Sequence, residues 1–252
     1  MTAWPYPRWI AHRGAGKLAP ENTLAAFRVG AGYGYRMFEC DAKLSADGVI
    51  FLMHDATLGR TTNAREIFGP GASEVGGDHP WSELARLDAG GWHSRAYAGE
   101  PLPTLEDVSR FCLGKGYCLN IELKPTPGVE RSTGEAVARQ ADRLWHNATA
   151  PPLLTSFEPK ALEGALATAA NLPRGLLLDT LWPGWLEAAR SVDCVAIVCA
   201  HALWDPATVA QAKGAGLRCL SYTVNDDRTA QRLIALGTDG LITDRVDLFS
   251  PT

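Results

Sequence analysis

The segment RCLSYTVNDDRTAQRLIALGTDGLIT, residues 218–243, contains the repeating unit that decides the fold. Its two ends, Arg218–Val224 and Gly240–Thr243, are short apolar runs bounded by turn residues, as in buried β-strands. Between them, Asp227–Leu236 has the apolar spacing of an amphipathic helix, and Gly237 is a typical helix stop. A strand, a helix and a second strand in this order favour a parallel sheet.

The same alternation extends along the whole chain. The strand-like runs are Arg8–Arg13, Arg36–Leu44, Tyr117–Lys124, Leu153–Phe157, Arg174–Thr180, Cys194–Ala200, Arg218–Val224 and Gly240–Thr243. The helical stretches are Thr23–Ala31, Leu105–Leu113, Thr133–Trp145, Pro159–Ala169, Trp185–Ser191, Pro206–Ala212 and Asp227–Leu236. Eight strands predict an α/β fold of the closed (β/α)8 (TIM) barrel type, for which 252 residues is a usual length. The alternative is an open doubly wound sheet, which usually places its ligand at one switch point.

One extra strand-like run, Val49–His54, follows the second barrel strand. Asp47-Gly48 lies between the two runs, and this dipeptide strongly indicates a hairpin. A two-residue turn would place Asp41 opposite His54, whereas a four-residue loop would place Glu39 there. Either register predicts that His54 lies beside these carboxylates.

The stretch from about residue 55 to residue 103 also interrupts the repeat. It is rich in glycine and turn residues and is too long for an ordinary βα loop. We therefore expect a small insertion over the barrel mouth, after the second strand and its hairpin, within a single domain that spans residues 1–252.

Composition and charge restrict the class of protein. The 24 basic and 28 acidic residues give a net charge of −4, which argues against a nucleic-acid partner. Met1–Pro7 lacks the features of a secretory signal, and no apolar run reaches the roughly 18 residues of a membrane span. The six cysteines lack CxxC spacing, so we expect reduced thiols in a cytoplasmic enzyme.

Three carboxylates stand near the ends of predicted strands. Glu39 and Asp41 are two residues apart, so both point to one face of their strand, and Glu122 occupies an apolar run of the next barrel strand. A solvated strand face, or an ion pair between Glu122 and Lys124, would also explain these residues. Three carboxylates on neighbouring strands would form an all-oxygen site, which suits Mg²⁺ or Ca²⁺.

Two histidines and two cations follow strands in the same way. His12 and Arg13 end the first strand, His54 ends the hairpin, and Lys124 ends the strand of Glu122. A lone histidine at a strand end is often structural, but Arg13 offers a forked donor that matches phosphate oxygens, and Lys124 adds a charge. Since these residues come from several strand ends, the closed barrel is favoured over the open sheet.

Other polar residues have weaker functional indications. His79 and His93 lie in the insertion, where they could face a substrate, and His201 lies near the end of the sixth strand. None of these three histidines is predicted to be catalytic. Asn22 and Thr23 are interpreted as an N-cap of the first helix.

At these residues the chain resembles the glycerophosphodiester phosphodiesterase family. The matching stretches occur in order and span almost the whole sequence. They are His12-Arg13-Gly14, Pro20-Glu21-Asn22-Thr23, Glu39-Cys40-Asp41, Asp47-Gly48, His54-Asp55-Ala56-Thr57-Leu58-Gly59-Arg60-Thr61-Thr62, Pro103-Thr104-Leu105-Glu106, Ile121-Glu122-Leu123-Lys124, Ser156-Phe157, Tyr222-Thr223-Val224-Asn225 and Thr243-Asp244. The opening Trp4-Pro5-Tyr6-Pro7 resembles the bacterial cytosolic branch.

The resemblance implies a metal-dependent enzyme that hydrolyses glycerophosphodiesters to sn-glycerol 3-phosphate and an alcohol. It implies His12 as the general base and His54 as the general acid. The implied ligands of the divalent cation, Mg²⁺ or Ca²⁺, are three carboxylates. They are Glu39, Asp41 and Glu122. Arg13 and Lys124 are implied to bind the phosphate of a small-molecule substrate.

Three alternatives to this activity stay open from the sequence. One is a lysophospholipase D-like phosphodiesterase with the same site. Another is a metal-dependent barrel lyase or isomerase acting on a sugar phosphate, in which Lys124 would form a Schiff base. The third is a binding protein that has lost catalysis, although all seven polar site residues are present. The alcohol, the metal, the nucleophile and the oligomeric state are not predicted.

Overall fold

Eight parallel strands form a closed barrel in the computed structural model, which describes residues 4–251. Together with the antiparallel hairpin strand β3, the strands of the described residues are β1 Trp9–Ala11, β2 Met37–Leu44, β3 Ile50–Leu52, β4 Cys118–Leu123, β5 Leu153–Ser156, β6 Arg174–Leu178, β7 Ala196–Ala200, β8 Arg218–Tyr222 and β9 Gly240–Thr243. All but β3 run parallel to their neighbours, and the barrel closes because β1 pairs with both β9 and β2. The predicted (β/α)8 barrel is confirmed, and the open sheet is excluded.

Helices cover the outside of the barrel, and two short ones belong to the segment after β3. Those among residues 4–251 are α1 Leu24–Gly32, α2 Ala64–Phe68, α3 Trp81–Leu84, α4 Leu105–Lys115, α5 Glu130–Leu144, α6 Pro159–Thr168, α7 Trp185–Ser191, α8 Pro206–Gly214 and α9 Asp227–Leu236. The two ends of α9 follow from the residues that flank it: Asp226 accepts a hydrogen bond from the backbone N–H of Thr229, and Gly237 ends the helix in the left-handed region at φ 81°.

Alternate residues of β2 face two different environments. Phe38, Cys40 and Ala42 pack in the apolar layer between strands and helices. Met37 instead belongs to the apolar cluster inside the barrel, with residues such as Ile242. Since side chains alternate along a strand, Glu39 and Asp41 share the inward direction of Met37. The two carboxylates therefore point into the upper barrel.

The hairpin between β2 and β3 has a register that the sequence did not predict. Leu44 pairs with Ile50 and Ala42 with Leu52, so neither Asp41 nor Glu39 lies opposite His54. The reason is a three-residue loop, in which Gly48 adopts a left-handed conformation at φ 82°. Both expected registers were wrong, and His54 instead follows the end of β3.

The segment between the hairpin and α4 contains α2 and α3 and its own small apolar cluster. Phe51 and Met53 from the hairpin pack there with Leu58, Leu84 and Leu102. The barrel therefore carries an insertion after its second strand, and this insertion is anchored on the hairpin.

The described part of the chain begins at Trp4 and ends at Pro251. The expectation for the N-terminal stretch lies partly outside the described residues, because Met1–Ala3 and Thr252 are not among them. Within residues 4–251, no helix has both the length and the apolar character needed to cross a membrane. The six cysteines are free thiols, and five of them are buried.

Candidate active site

The predicted histidines, cations and carboxylates meet at the carboxyl end of the barrel, around a cavity of about 190 Å³. Six of the seven predicted site residues line this cavity, and Asp41 is buried at 1% exposure. The lining residues are His12, Arg13, Glu39, His54, Asn120, Glu122, Lys124, Thr155, Phe157, Leu177, Tyr222, Thr223 and Ile242. The barrel geometry has thus brought together residues that are far apart in sequence.

Three buried carboxylates form the acidic part of the site. Asp41 on β2 pairs in register with Glu122 on β4, and Glu39 lies two residues before Asp41. Each offers an oxygen within 4.8 Å of the others. Glu39 Oε1 and Asp41 Oδ1 are buried without a hydrogen-bond partner among the described residues. Unpaired buried carboxylate oxygens are costly, and a cation between them would remove that cost.

The electrostatics of the carboxylates also favour a cation. Burial, and then the charges of Asp41 and Glu122, raise the pKa of Glu39 well above its usual value. Burial and the charge of Asp41 raise the pKa of Glu122 to about 7, although Lys124 opposes the shift. For Asp41, burial alone would raise the pKa, but Arg13, His54 and Lys124 together lower it. Protein cations therefore compensate only part of the negative charge.

The two predicted cations contact these carboxylates. Arg13 adopts a left-handed backbone at φ 51°, and its backbone N–H donates to Glu39 at 3.0 Å. Its guanidinium lies 3.3 Å from Asp41 and donates to Glu21 at 2.9 Å. Lys124 Nζ lies 2.9 Å from Glu122 Oε1, so the ion pair considered in the sequence analysis is present. Both cations also line the cavity, where an anion could reach them.

His12 is held in place by two residues of the last strand–helix units. Its Nδ1 lies 2.6 Å from Oδ1 of Asp244, which directly follows β9. Asn225 donates to the other carboxylate oxygen of Asp244 at 3.0 Å. Burial alone would raise the pKa of Asp244, but His12 and Asn225 lower it to about 2. With its proton on Nδ1, His12 would donate to this charged carboxylate, and Nε2, 3.8 Å from Glu39, would be the ring nitrogen directed toward the acidic residues.

His54 has a similar arrangement with its neighbour in sequence. Its Nδ1 lies 2.7 Å from Oδ1 of Asp55. Burial lowers the pKa of His54, and Arg13 and Lys124 lower it further, against the opposing charges of Asp41 and Asp55. The prediction that His54 lies beside the carboxylates agrees with its place in the cavity wall, although its register differs. Two histidine–aspartate pairs therefore flank the acidic residues.

Asn22 holds Asp41 and was missed by the sequence analysis. Its amide donates to Asp41 Oδ2 at 2.8 Å, and its own oxygen accepts from the backbone of Asp41 at 3.1 Å. The expected N-cap role belongs to Thr23, which accepts from the backbone of Ala26. Asn22 also has a left-handed backbone at φ 59°, a conformation for which asparagine is enriched.

Lys43 was also missed, although the alternation of side chains along β2 places it on the same face as Glu39 and Asp41. It is buried on β2, and its Nζ donates to the backbone oxygen of Lys124 at 3.1 Å. Burial, and then the neighbouring charge of Lys124, lower the pKa of Lys43 to about 8.

The other histidines lie outside the cavity wall. His79 stacks on Phe68 in the insertion and bonds to Glu83 and to the backbone of Ser73. His93 bonds to the backbone of Lys17 and contacts Trp92 and Tyr97. His201 donates no side-chain hydrogen bond to the site residues. These three histidines are therefore not among the residues that line the cavity.

The fold and the site together define a class of protein. A (β/α)8 barrel with buried carboxylates, cations and two histidine–aspartate pairs at its carboxyl end is typical of an enzyme for metal-assisted acid–base chemistry on an anionic substrate. The comparisons with known proteins define the family more closely. Residues 12–248 match the model of the glycerophosphoryl diester phosphodiesterase family.

Full-length relatives agree with this match. A glycerophosphodiester phosphodiesterase of Caldanaerobacter subterraneus subsp. tengcongensis is 32% identical over 240 residues, which cover 93% of each chain. A phosphodiesterase of Oleispira antarctica, solved in complex with the product sn-glycerol-3-phosphate, superposes with a TM-score of 0.84 at 33% identity, over 95% of this chain and 93% of that one. A glycerophosphodiester phosphodiesterase of Agrobacterium tumefaciens gives a TM-score of 0.77 at 28% identity, over 98% and 100%. The chain therefore belongs to the glycerophosphoryl diester phosphodiesterase family, a family of phosphoric diester hydrolases.

Proposed function

We propose that this enzyme hydrolyses glycerophosphodiesters to sn-glycerol 3-phosphate and an alcohol, with a divalent cation and two histidines that transfer protons. The observation that carries the proposal is the position of the three buried carboxylates between two histidine–aspartate pairs. The product bound to the Oleispira antarctica relative supports the glycerol 3-phosphate part of the substrate.

Glu39, Asp41 and Glu122 would hold the cation. Their fit rests on oxygen atoms within 4.8 Å of one another, of which Glu39 Oε1 and Asp41 Oδ1 have no hydrogen-bond partner among the described residues. An all-oxygen ligand set favours Mg²⁺ or Ca²⁺ over a soft metal. When bound, such a cation supplies Lewis-acid stabilisation of the negative charge that develops on the phosphoryl oxygens.

Arg13 and Lys124 would bind the phosphodiester. Burial alone would lower the pKa of Arg13, but the charges of Asp41, Glu21 and Glu39 raise it. The charge is therefore permanent. Lys124 keeps its proton for a similar reason: burial lowers its pKa, but Glu122 and Asp41 raise it more. Two fixed cations in the cavity wall would stabilise the transition state more than the substrate, because the transition state carries more negative charge on its phosphoryl oxygens.

His12 would be the general base and His54 the general acid. With Nδ1 donating to Asp244, His12 would present Nε2 as a proton acceptor, 3.8 Å from Glu39. His54 faces Arg13 and Lys124, which help lower its pKa and make it a stronger acid toward the departing alcohol. Each proton transfer contributes roughly 10²–10⁴-fold to the rate.

The nucleophile could reach the phosphorus in two ways with this arrangement. His12 Nε2 could deprotonate a water molecule, which would give sn-glycerol 3-phosphate directly. It could instead deprotonate the 2-hydroxyl of the substrate, which would give a cyclic phosphate first. Detection of a transient cyclic phosphate by ³¹P NMR would distinguish the two routes.

The charge state of Lys124 disfavours the lyase or isomerase alternative. A Schiff base forms from an uncharged amine, and a raised pKa keeps Lys124 protonated. If the protein were such an enzyme, borohydride with a carbonyl substrate would trap a covalent adduct on Lys124. We expect no adduct.

We further propose that residues 1–252 form a single domain, with the insertion at about 55–103. This domain would act on a small molecule and not on nucleic acid.

We also propose a cytoplasmic location, which the six free thiols support because thiols stay reduced in the cytoplasm. Fractionation of cells that express the protein would test the location.

The function is tested with a panel of glycerophosphodiesters that carry choline, ethanolamine, glycerol or inositol. We expect release of sn-glycerol 3-phosphate and the alcohol, loss of turnover in His12→Ala and His54→Ala, and normal turnover in the control His146→Ala, since His146 is exposed and outside the cavity. Near-normal kcat in either site variant would contradict the two-histidine mechanism. Preference for a lysophospholipid over every diester of the panel would instead indicate a lysophospholipase D.

A further inference from the structure

The insertion contributes Arg60, which bonds to two carboxylates, Asp55 and Glu21, that in turn contact His54 and Arg13 of the cavity wall. We propose that Arg60, together with Glu21, is a positioning residue that fixes His54 and Arg13 in their working orientations. The inference rests on the proposed function, because it concerns how the acid histidine and the phosphate-binding arginine of that reaction are held.

The first part of the arrangement leads from Arg60 to His54. Arg60 Nε donates to Asp55 Oδ2 at 2.5 Å, and a terminal nitrogen donates to Asp55 Oδ1 at 3.0 Å. The guanidinium thus holds both carboxylate oxygens in one plane, as forked pairs do. The same Oδ1 lies 2.7 Å from Nδ1 of His54. With Asp55 unable to rotate, the ring of His54 is kept with Nε2 directed away from Asp55.

The second part leads from Arg60 to Arg13. The two terminal nitrogens of Arg60 donate to the two oxygens of Glu21, at 2.9 and 2.6 Å. Oε1 of Glu21 also accepts from Arg13 at 2.9 Å. Glu21 therefore lies between two guanidinium groups, and burial alone would raise its pKa, but Arg60 and Arg13 lower it. One side chain of the insertion is connected in this way to both proposed substrate contacts.

Stability alone does not explain this network. The side chain of Arg60 is 43% exposed, and exposed ion pairs add little to the free energy of unfolding. The indole of Trp92, 5.9 Å from the guanidinium, covers one face of Arg60 and restricts its rotamers. An ordered, multiply bonded but half-exposed arginine fits a role in orientation. Fixed side chains beside metal sites typically change activity by roughly 10–100-fold when removed.

The test uses two substrates that differ in their need for a general acid. Glycerophosphocholine loses a poor leaving group, which His54 must protonate, whereas glycerol 3-phosphate 4-nitrophenyl ester loses a good one and does not need the acid. We expect Arg60→Gln to lower kcat on glycerophosphocholine by roughly 10–100-fold, and on the nitrophenyl ester by less than about three-fold. Arg60→Lys, which keeps the charge but loses the fork, rescues only part of the loss.

The variant Glu21→Gln distinguishes the support of Arg13 from the support of His54. Glu21→Gln weakens the support of Arg13, so we expect a higher KM for both substrates with little dependence on the leaving group. Arg65→Gln is the matched control, because Arg65 in the same insertion pairs only with Glu74 at 2.8 Å and both are well exposed. It leaves kcat and KM unchanged, and all variants keep a Tm near that of the unmodified protein.

Three results would overturn the proposal. The first is an equal loss of kcat on both substrates in Arg60→Gln, which would indicate general damage to the structure. The second is an unchanged kcat on glycerophosphocholine in that variant. The third is an effect of Arg65→Gln as large as that of Arg60→Gln. Inactivity of the unmodified enzyme on every glycerophosphodiester would contradict the proposed function and this inference with it. If the loss of kcat depended on the leaving group in His54→Ala but not in Arg60→Gln, only the inference would be contradicted.

Discussion

Replacing Asp244 with asparagine tests how His12 is prepared to accept a proton. Asp244 directly follows β9 and lies 2.6 Å from Nδ1 of His12, while Asn225 donates to its second oxygen. The variant Asp244→Asn keeps the size and shape of the side chain. It exchanges one acceptor oxygen for an amide donor. Because the side-chain amide of Asn225 donates to this residue, the remaining oxygen must stay on the side of Asn225.

The expected effect is large because the tautomer of His12 reverses. With the amide oxygen bonded to Asn225, the amide nitrogen faces His12 and donates to Nδ1. The proton of neutral His12 then lies on Nε2, where the base must be free. In a serine protease the corresponding exchange lowers kcat about 10⁴-fold, so we expect a loss of roughly 10³–10⁴-fold here, with little change in KM.

The same variant also has a cost in folding stability. The pKa of Asp244 is lowered to about 2 from its usual value of 3.8, and its side chain is 19% exposed. At neutral pH this difference corresponds to about 2 kcal/mol of stability, which the uncharged amide does not provide. Urea denaturation would measure this loss separately from kcat.

Asp239→Asn is the matched control for this experiment. Asp239 precedes the same strand at the opposite end of the barrel, where it bonds to Arg218 and to the backbone of Cys219. The control loses stability but keeps kcat for the folded enzyme. Initial rates on glycerophosphocholine at saturating substrate would compare the two variants. If Asp244→Asn retained kcat within about three-fold, the tautomer argument would be refuted.

Three further predictions follow from other contacts. Asn22→Ala removes the amide that holds Asp41, and we expect roughly 10–100-fold weaker divalent-cation binding by isothermal titration; unchanged affinity would contradict this role. The pKa of Asp244 is lower in the folded protein than in the unfolded chain, so its stabilising effect is complete above about pH 4 and is lost as the pH falls toward 2. We therefore expect the Tm of Asp244→Asn to fall less than the Tm of the unmodified protein over this pH range. Burial alone would lower the pKa of His79, but Glu83, the backbone of Ser73 and Asp78 raise it above its usual value of 6.5. The stabilising effect of His79 is therefore complete below pH 6.5 and is lost as the pH rises through the folded pKa, and we expect Glu83→Gln to weaken this pH dependence of Tm.

The sequence was sufficient for the barrel and for the group of residues at its mouth. The period of two along β2 placed Glu39 and Asp41 on one face, and the parallel order of strands brought Glu122 to the same end. These inferences need only local spacing and the general rule that barrel sites lie at the carboxyl ends of strands.

The sequence was not sufficient for the contacts that support these residues. His12 and Asp244 are separated by 232 positions, and no local pattern links them. Asn22 resembled a helix cap because it precedes Thr23, and only the folded chain brings it to Asp41. The hairpin register depended on one backbone conformation, at Gly48, which decides between loops of two, three and four residues.

The central claim is that the acidic, basic and histidine residues form one metal-assisted hydrolytic site. The most direct measurement is release of sn-glycerol 3-phosphate from glycerophosphocholine by enzyme that has been freed of metal with a chelator. We predict negligible release, recovery on addition of Mg²⁺ or Ca²⁺, and a higher metal requirement in Glu122→Gln, because that variant loses one charged ligand. Full activity in the presence of the chelator, or no release with either metal, would contradict the account.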